Sequence, residues 1–211
     1  MRLRERLKDL YRGTGLSPCY TALKLWVLPF EECSRALPMQ GTILDVGCGY
    51  GFLANYLSLD GPQRRVVGND VDPRRIQVAQ QTVRDGRHVE FIVGDSRTLP
   101  AATFDGVVLT DMLHHVPYAE QAPMLRDLYD KLTPGGVLVL RETDKKLRVR
   151  YLLFHCLLES LLYWRQEKMR FRPAKEWAGL LESLGYRVRQ MTPNHPLSPY
   201  LTVTFVCTKG A

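Results

Sequence analysis

Residues 42–51 read TILDVGCGYG, an apolar run that passes directly into three closely spaced glycines. Short apolar runs that end in glycine are typical of buried strands. Gly47, Gly49 and Gly51 let the chain turn sharply and let a ligand approach the backbone. A helix is predicted over 52–59, and it would present free N–H groups and a positive dipole end to that turn. The segment therefore predicts a strand, a ligand-binding turn and a helix.

The alternation of strand and helix continues to the fifth strand. Further strands are predicted at 65–70, 88–95, 104–111 and 136–143, and helices at 73–84 and 118–132. Strands that alternate with helices form a parallel sheet covered on both faces, and ligands bind beyond the carboxyl ends of its strands. The final strands, 186–191 and 201–208, have no helix between them, which predicts an antiparallel pair at one sheet edge.

The composition is that of one globular domain. The chain has 211 residues, 45% of them hydrophobic and 24% charged. The net charge of +7 suits RNA, an anionic membrane surface or an acidic substrate, and equally a solvated basic surface. The cysteines show no CxxC spacing, which favours reduced thiols over a disulfide frame or zinc site. They are Cys19, Cys33, Cys48, Cys156 and Cys207.

We expect a cytoplasmic protein, because residues 1–13 are charged and lack an apolar signal core. No run of about 18 uncharged apolar residues occurs either. Helices predicted over 3–11 and 20–37 form an N-terminal helical cap in residues 1–39. Residues 40–211 form the main domain, and a helical lid insertion at about 145–172 interrupts it.

A dinucleotide site is the first alternative for the glycine turn. Its fingerprint is G-x-G-x-x-G after a strand, with the third glycine where helix and strand pack closely. Phe52 occupies that third place here, and its ring would hold helix and strand apart. The dinucleotide interpretation is therefore rejected.

The segment DVGCGYG, residues 45–51, resembles the first motif of class I S-adenosylmethionine-dependent methyltransferases, D/E-x-G-x-G-x-G, without gaps. The resemblance implies an α/β fold, a Rossmann-like three-layer αβα sandwich whose mostly parallel seven-stranded sheet has an antiparallel last strand. It implies S-adenosyl-L-methionine as cofactor, with Asp45 helping to orient its amine. The loop residues expected under its methionine part are Gly47, Cys48, Gly49 and Gly51.

The resemblance continues at the next two strand ends. Asp70, which ends RVVGND, matches the family's acidic residue that accepts hydrogen bonds from both ribose hydroxyls, with Val71 beside it. A carboxylate suits a diol because it offers two acceptor oxygens. Asp72 is a weaker alternative. Asp95 resembles the family's adenine clamp, accepting from the exocyclic amine, and Ser96 follows it.

After the fourth strand, LTDMLHHVP at 109–117 is similar to the L-H-H segment of many small-molecule members, and LTPGGVLVLRE at 132–142 resembles their fifth strand. Thr110 and Asp111 are therefore expected to border the cofactor. No metal site is predicted, because Asp111 alone does not make the Asp and Asn cluster of metal-dependent members. The proline pair of members that methylate base or glutamine amines does not occur here, so such acceptors are not expected.

His114 and His115 follow the fourth strand where the resemblance puts the acceptor. An imidazole whose pKa is near neutrality can take a proton from a hydroxyl as its oxygen attacks. One of them is therefore a candidate general base, with His115 ranked ahead of His114. The alternative is that one contacts the cofactor or caps the following helix.

The insertion, about residues 145–172, is almost entirely apolar between Tyr151 and Trp164. Such a helix is buried or meets an apolar partner. A lid, a pocket for a long hydrophobic acceptor and a peripheral membrane contact all fit, the last because basic residues flank it. These are Arg148, Arg150, Arg165, Lys168, Arg170 and Arg172. Nucleic acid is a weaker alternative, since the interleaved aromatics are more simply core residues.

The expected function is methyl transfer from S-adenosylmethionine to the oxygen of a small, hydrophobic or lipid-like acceptor. Carbon methylation of a quinone or polyprenyl acceptor is the first alternative, and it would depend less on a histidine base. A non-catalytic S-adenosylmethionine-binding subunit is the second. The sequence predicts neither the acceptor's identity nor the oligomeric state.

Overall fold

The computed structural model of the chain describes residues 3–28, 30–84, 88–99, 104–144, 169–193 and 202–210. The strands in these ranges are β1 Gln40–Val46, β2 Gln63–Asp70, β3 Val89–Val93, β4 Phe104–Thr110, β5 Leu132–Thr143, β6 Arg187–Pro193 and β7 Thr202–Thr208. The helices are α1 Leu3–Leu10, α2 Pro18–Val27, α3 Phe30–Ala36, α4 Phe52–Asp60, α5 Pro73–Gln80, α6 Tyr118–Lys131 and α7 Ala174–Ser183. Two short 3₁₀ turns lie at Ser96–Thr98 and Leu113–His115.

The seven strands form one sheet in the order β3-β2-β1-β4-β5-β7-β6. The pairs β1–β2, β1–β4, β2–β3 and β4–β5 are parallel, whereas β7 pairs antiparallel with both β5 and β6. The expected mostly parallel sheet with an antiparallel last strand is confirmed. The carboxyl ends of β1 to β5 consequently meet along one edge, where the predicted motifs lie.

Helices cover both faces of the sheet. Successive strand residues point to opposite faces, so neighbouring residues of one strand pack against different helices. Ile43 packs with residues of α1, α3, α4 and α5 in one buried cluster. Leu44, next in β1, packs with residues of α6 and α7 in a second cluster. The three-layer αβα sandwich is therefore confirmed. The boundary at residue 39 stays a prediction, since the N-terminal helices share the first cluster.

The predicted helix over 20–37 is wrong in its extent, because the structure has two helices there. α2 ends at Val27, and Leu28 is extended with φ −74° and ψ 135°. Leu28 precedes Pro29, and the residue before a proline avoids helical geometry. The chain turns at that point and α3 begins at Phe30.

The start of β5 also differs from the prediction. We predicted a helix over 118–132 and a strand at 136–143, but β5 begins at Leu132. Its pairing with β4 shifts register between Phe104 and Gly106, and Gly135 has φ 76°. A glycine that tolerates positive φ lets this irregular stretch remain part of the sheet.

The N-terminal helices are tied to the glycine turn. The Tyr11 ring stacks on Phe52 with centroids 4.1 Å apart. The Tyr11 hydroxyl donates to the carbonyl of Tyr50 at 2.9 Å and accepts from Nδ2 of Asn55 at 3.0 Å. Tyr11 thus joins the N-terminal helices to both the glycine turn and α4.

Most of the predicted insertion, 145–168, lies outside the described residues, together with four of its six flanking basic residues. Of the other two, Arg170 donates its backbone N–H to His114 O at 2.8 Å, and Arg172 Nε donates to Gln121 Oε1 at 2.6 Å. No helix within the described ranges is both long and apolar enough to cross a membrane.

Candidate active site

The glycine turn after β1 is held open by its backbone geometry. Gly47, Gly49 and Gly51 have φ of 68°, 56° and 79°, in the left-handed region that favours glycine. A Cβ at Gly51 would lie 2.6 Å from the Phe91 ring, so this glycine allows close packing. A Cβ at Gly49 would meet nothing within 4 Å. The turn therefore offers free space above Gly49, where a ligand could contact the backbone.

Asp70, at the end of β2, is anchored to this turn. Its side chain is buried, Oδ2 accepts from Gly49 N at 2.9 Å, and Oδ1 accepts from Asp72 N at 2.9 Å. Arg75 Nη1 lies 3.9 Å from Oδ2. Asp72 instead caps α5, accepting from Arg74 N at 2.9 Å. Of the two carboxylates, Asp70 is the one in contact with the glycine turn.

Asp45, in β1, is 1% exposed, and its Oδ2 accepts from Ala54 N at 3.0 Å in the first turn of α4. Burial raises its pKa to about 7, against the lowering effect of the Ala54 N–H; the nearby Asp70 charge raises it further. The carboxyl of Asp45 therefore changes its ionisation near neutral pH.

This shift predicts a pH-dependent stability. Between about pH 4 and 7 the native Asp45 holds a proton that the unfolded chain releases, so the free energy of unfolding falls as pH rises. Asp45→Asn removes the ionisation and keeps an oxygen for Ala54 N. We expect the variant to gain about 2 to 3 kcal/mol relative to wild type between pH 5 and pH 8. Urea unfolding at both pH values measures this, and a pH-independent difference would contradict it.

The end of β3 carries the predicted adenine contacts. Asp95 caps the first 3₁₀ turn, accepting from Arg97 N at 2.9 Å, and the Arg97 guanidinium lowers its pKa. A carboxylate has further lone pairs and can still accept from a ligand. Ser96 Oγ is buried and has no hydrogen-bond partner among the described residues. Val71, next to Asp70, exposes 72% of its surface and offers an apolar contact to a flat ligand group.

Asp111, after β4, is the non-glycine residue that has positive φ, 52°, in the described part of the chain. Its N–H donates to Arg141 O at 2.9 Å, and Arg141 Nη1 donates to its Oδ2. The Arg141 side chain is 3% exposed and that of Asp111 is 33% exposed. Thr110, the last residue of β4, pairs with Arg141 across the sheet.

The two histidines of the 3₁₀ turn Leu113–His115 have different surroundings. His114 is buried, and its Nδ1 lies 2.8 Å from Glu142 Oε2. Glu142 Oε1 also accepts from Met112 N at 3.1 Å and Leu113 N at 2.6 Å. His115 is exposed. The structure thus places His114, and not His115, in contact with Glu142, which also accepts hydrogen bonds from the backbone at Met112 and Leu113.

Arg141 and Glu142 have no role predicted from the sequence. Both lie near the end of the apolar run VLVLRE, and both are buried in β5. Charged residues are rarely buried unless they are paired. Adjacent opposite charges at the end of a buried strand were therefore a signal that could have marked them.

Strand order, glycine turn and buried acids at adjoining strand ends define the class of protein. It is an α/β domain whose candidate ligand site lies at the carboxyl edge of its sheet. Residues 43–136 match the family model described as methyltransferase domain.

Two relatives and one solved structure extend this match. The chain is 33% identical over 116 residues to a ubiquinone biosynthesis O-methyltransferase of Xanthomonas axonopodis, covering 53% of this chain and 47% of that protein. It is 29% identical over 189 residues to a demethylmenaquinone methyltransferase of Bacillus licheniformis, covering 81% and 79%. Magnesium protoporphyrin IX methyltransferase from Synechocystis, solved with bound S-adenosylhomocysteine, superposes with TM-score 0.71 at 19% identity, covering 98% and 94%.

The matching model covers 94 of the 211 residues of this chain, and the likeness to the Synechocystis structure, at 19% identity, shows the fold. The chain spans about half the length of several relatives it matches, including the Xanthomonas protein. S-adenosylmethionine is the cofactor expected from the motif at residues 45–51.

The residues present fit this cofactor. The space above Gly49 admits a ligand that a Cβ would obstruct. Four buried side-chain polar atoms lack a hydrogen-bond partner within the described ranges, and two of them, Ser96 Oγ and Asn69 Oδ1, lie at this edge of the sheet. Buried polar groups are normally satisfied, so such atoms near the ends of β3 and β2 are consistent with a polar ligand.

Proposed function

We propose that this protein transfers the methyl group of S-adenosylmethionine to a hydroxyl oxygen of a small, hydrophobic acceptor of quinol type. The observation that carries the choice of oxygen is the contact between His114 Nδ1 and Glu142 Oε2 at 2.8 Å. The names of the Xanthomonas and Bacillus relatives, both quinone methyltransferases, support the acceptor type.

When bound, the cofactor supplies an activated methyl group, and the protein has to align the reactants, exclude water and accept a proton. We assign cofactor binding to Asp45, the glycine turn, Asp70, Val71, Asp95, Ser96, Thr110 and Asp111. Asp70 would accept from the ribose hydroxyls while its bond to Gly49 N keeps the turn in place.

His114 is the base in this proposal. In this arrangement Glu142 Oε2 accepts the Nδ1 proton of His114, which leaves Nε2 as the basic nitrogen. Nε2 takes the hydroxyl proton, and the Glu142 carboxylate stabilises the imidazolium that forms. Glu142 also holds the amides of Met112 and Leu113, so the histidine backbone is positioned by the same residue.

A radiolabelled methyl-transfer assay tests the proposal. Purified protein is mixed with methyl-tritiated S-adenosylmethionine and with ubiquinol or menaquinol precursors that carry a free hydroxyl. Label recovered as a methyl ether supports the proposal. Label on a ring carbon supports the alternative of carbon methylation. A protein that binds the cofactor and labels no acceptor would be a non-catalytic subunit.

Gly49→Ala is expected to weaken S-adenosylhomocysteine binding at least about tenfold, because the new methyl group enters the space above the turn. The left-handed backbone adds a stability cost of about 1 kcal/mol. Gly13→Ala is the matched control, since Gly13 also has positive φ, 82°, and open space around its Cβ position. Calorimetry should find the control's affinity unchanged. Equal affinities for both variants would mean that the ligand lies elsewhere.

A further inference from the structure

Arg141 is a buried cation that the proposed mechanism does not use. It is 2% exposed, and within the described part of the chain its guanidinium has one hydrogen-bond partner, Asp111, through Nη1. A guanidinium has five N–H donors, and burying it without partners is costly. The Nε–Nη2 edge has no partner from those residues. This edge is the one that can pair side by side with both oxygens of a carboxylate.

Small hydroxyl side chains surround Arg141 on its face of the sheet. Thr110 on β4 and Thr204 on β7 are its cross-strand partners, and Thr143 pairs with Thr202 two residues further along. Residues that pair directly across strands project from the same face. The β5 and β7 threonines are all buried. The carboxyl ends of β4 and β5 and the amino-terminal end of β7 therefore carry a patch of threonine hydroxyls around Arg141.

The sheet register places this patch beside the cofactor turn. Val46 pairs with Leu109, and Leu109 pairs with Leu140. Gly47, Thr110 and Arg141 each come one residue later, at the same level of the sheet. Arg141 is thus separated from the first turn glycine by two strand spacings, about 10 Å. A ligand between them would reach both.

The contact with Asp111 does not use all the hydrogen-bond donors of the Arg141 guanidinium. Elsewhere in this structure Arg97 bridges two carboxylates, with Nη2 2.8 Å from Asp95 and Nη1 2.7 Å from Glu120. Asp111 is also held at φ 52°, a conformation that costs an ordinary residue energy and persists where its surroundings impose it. The Asp111 contact at Nη1 therefore leaves Nε and Nη2 of Arg141 without a hydrogen-bond partner among the described residues.

We propose that the Nε–Nη2 edge of Arg141 binds a carboxylate carried by the methyl acceptor, assisted by the threonine hydroxyls. This inference rests on the proposed function and narrows its substrate class to small aromatic or quinol-like acids. The methionine carboxylate of the cofactor has the same chemistry and is the competing source. Arg141 is then a specificity-determining residue, which selects acid acceptors over their neutral analogues.

The test compares 4-hydroxybenzoate with methyl 4-hydroxybenzoate, which lacks the charge. Binding is measured by NMR saturation transfer with protein saturated by S-adenosylhomocysteine. Wild type is expected to bind the acid at least tenfold more tightly than the ester. Arg141→Lys keeps the positive charge opposite Asp111 but loses the Nε–Nη2 edge, and Arg141→Gln loses the charge as well as the edge. Each variant should lose the preference for the acid over the ester. Arg65→Gln, a surface substitution on β2, is the control and should keep it.

Cofactor affinity separates the remaining outcomes. If both Arg141 variants lose the acid preference and bind S-adenosylhomocysteine within threefold of wild type, the carboxylate belongs to the acceptor. If they bind it tenfold or more weakly and acid preference is unchanged, the cofactor is the source and the acceptor assignment is wrong. If both properties are unchanged in the variants, Arg141 binds neither carboxylate and the inference is wrong. If wild type binds S-adenosylhomocysteine but shows no preference for the acid, the inference is overturned and the proposed function is not. Wild type that does not bind S-adenosylhomocysteine overturns the proposed function instead. Should Arg141→Gln fail to fold, the Lys variant carries the comparison.

Discussion

Asp70→Ala is expected to weaken S-adenosylmethionine binding about 100-fold. Hydrogen bonds to a charged group contribute about 1.5 to 3 kcal/mol each, and the variant would lose those proposed between Asp70 and the ribose hydroxyls. A total loss of about 3 kcal/mol corresponds to that factor. The turn also loses its anchor, because Asp70 accepts from Gly49 N and Asp72 N. Calorimetry with S-adenosylhomocysteine measures the effect.

Asp72→Asn is the matched control for this experiment. Asn caps a helix about as well as Asp, so the bond to Arg74 N at the start of α5 is kept. The variant removes a carboxylate charge two residues from Asp70 and should leave affinity within threefold of wild type. If Asp72→Asn loses affinity for S-adenosylhomocysteine and Asp70→Ala keeps it, Asp72 and not Asp70 would be the residue that contacts the ribose.

His114→Gln is expected to lower kcat by about 100-fold or more, the usual contribution of a general base. Its amide can still donate to Glu142, so the turn Leu113–His115 should stay in place. S-adenosylhomocysteine affinity should therefore remain within threefold of wild type. The measurement is a methyl-transfer rate at saturating cofactor, using the acceptor identified by the radiolabel assay.

His115→Gln is the comparison for the base assignment. His115 is exposed next to a buried His114, so the proposal expects wild-type kcat from the His115 variant. The opposite ranking of the two rates would restore His115 as the base. Equal, unchanged rates in both variants would remove the histidine base and favour carbon methylation.

The architecture could be predicted where its signals are local. Glycines after an apolar run predicted β1 and the turn at Gly49, and alternating elements predicted the parallel sheet. The single helix expected across Leu28 was wrong because the apolar pattern was weighed above another local signal, the tendency of a residue before proline to avoid helical geometry.

The side-chain partners of the site could not be predicted in the same way. The Glu142 contact with His114 joins residues 28 apart, and the Arg141 contact with Asp111 joins residues 30 apart. Both depend on the register of β4 against β5, which sequence spacing does not determine. For this reason the ranking of His115 over His114 had no structural basis, whereas the buried Glu142 favours His114.

The most direct measurement is a crystal structure of the protein soaked with S-adenosylhomocysteine. We expect the ribose within hydrogen-bonding distance of the Asp70 carboxylate and the homocysteine chain over Gly49. Density for a nicotinamide dinucleotide at that turn, or a turn closed over Gly49 with the nucleoside bound elsewhere, would contradict the site described here.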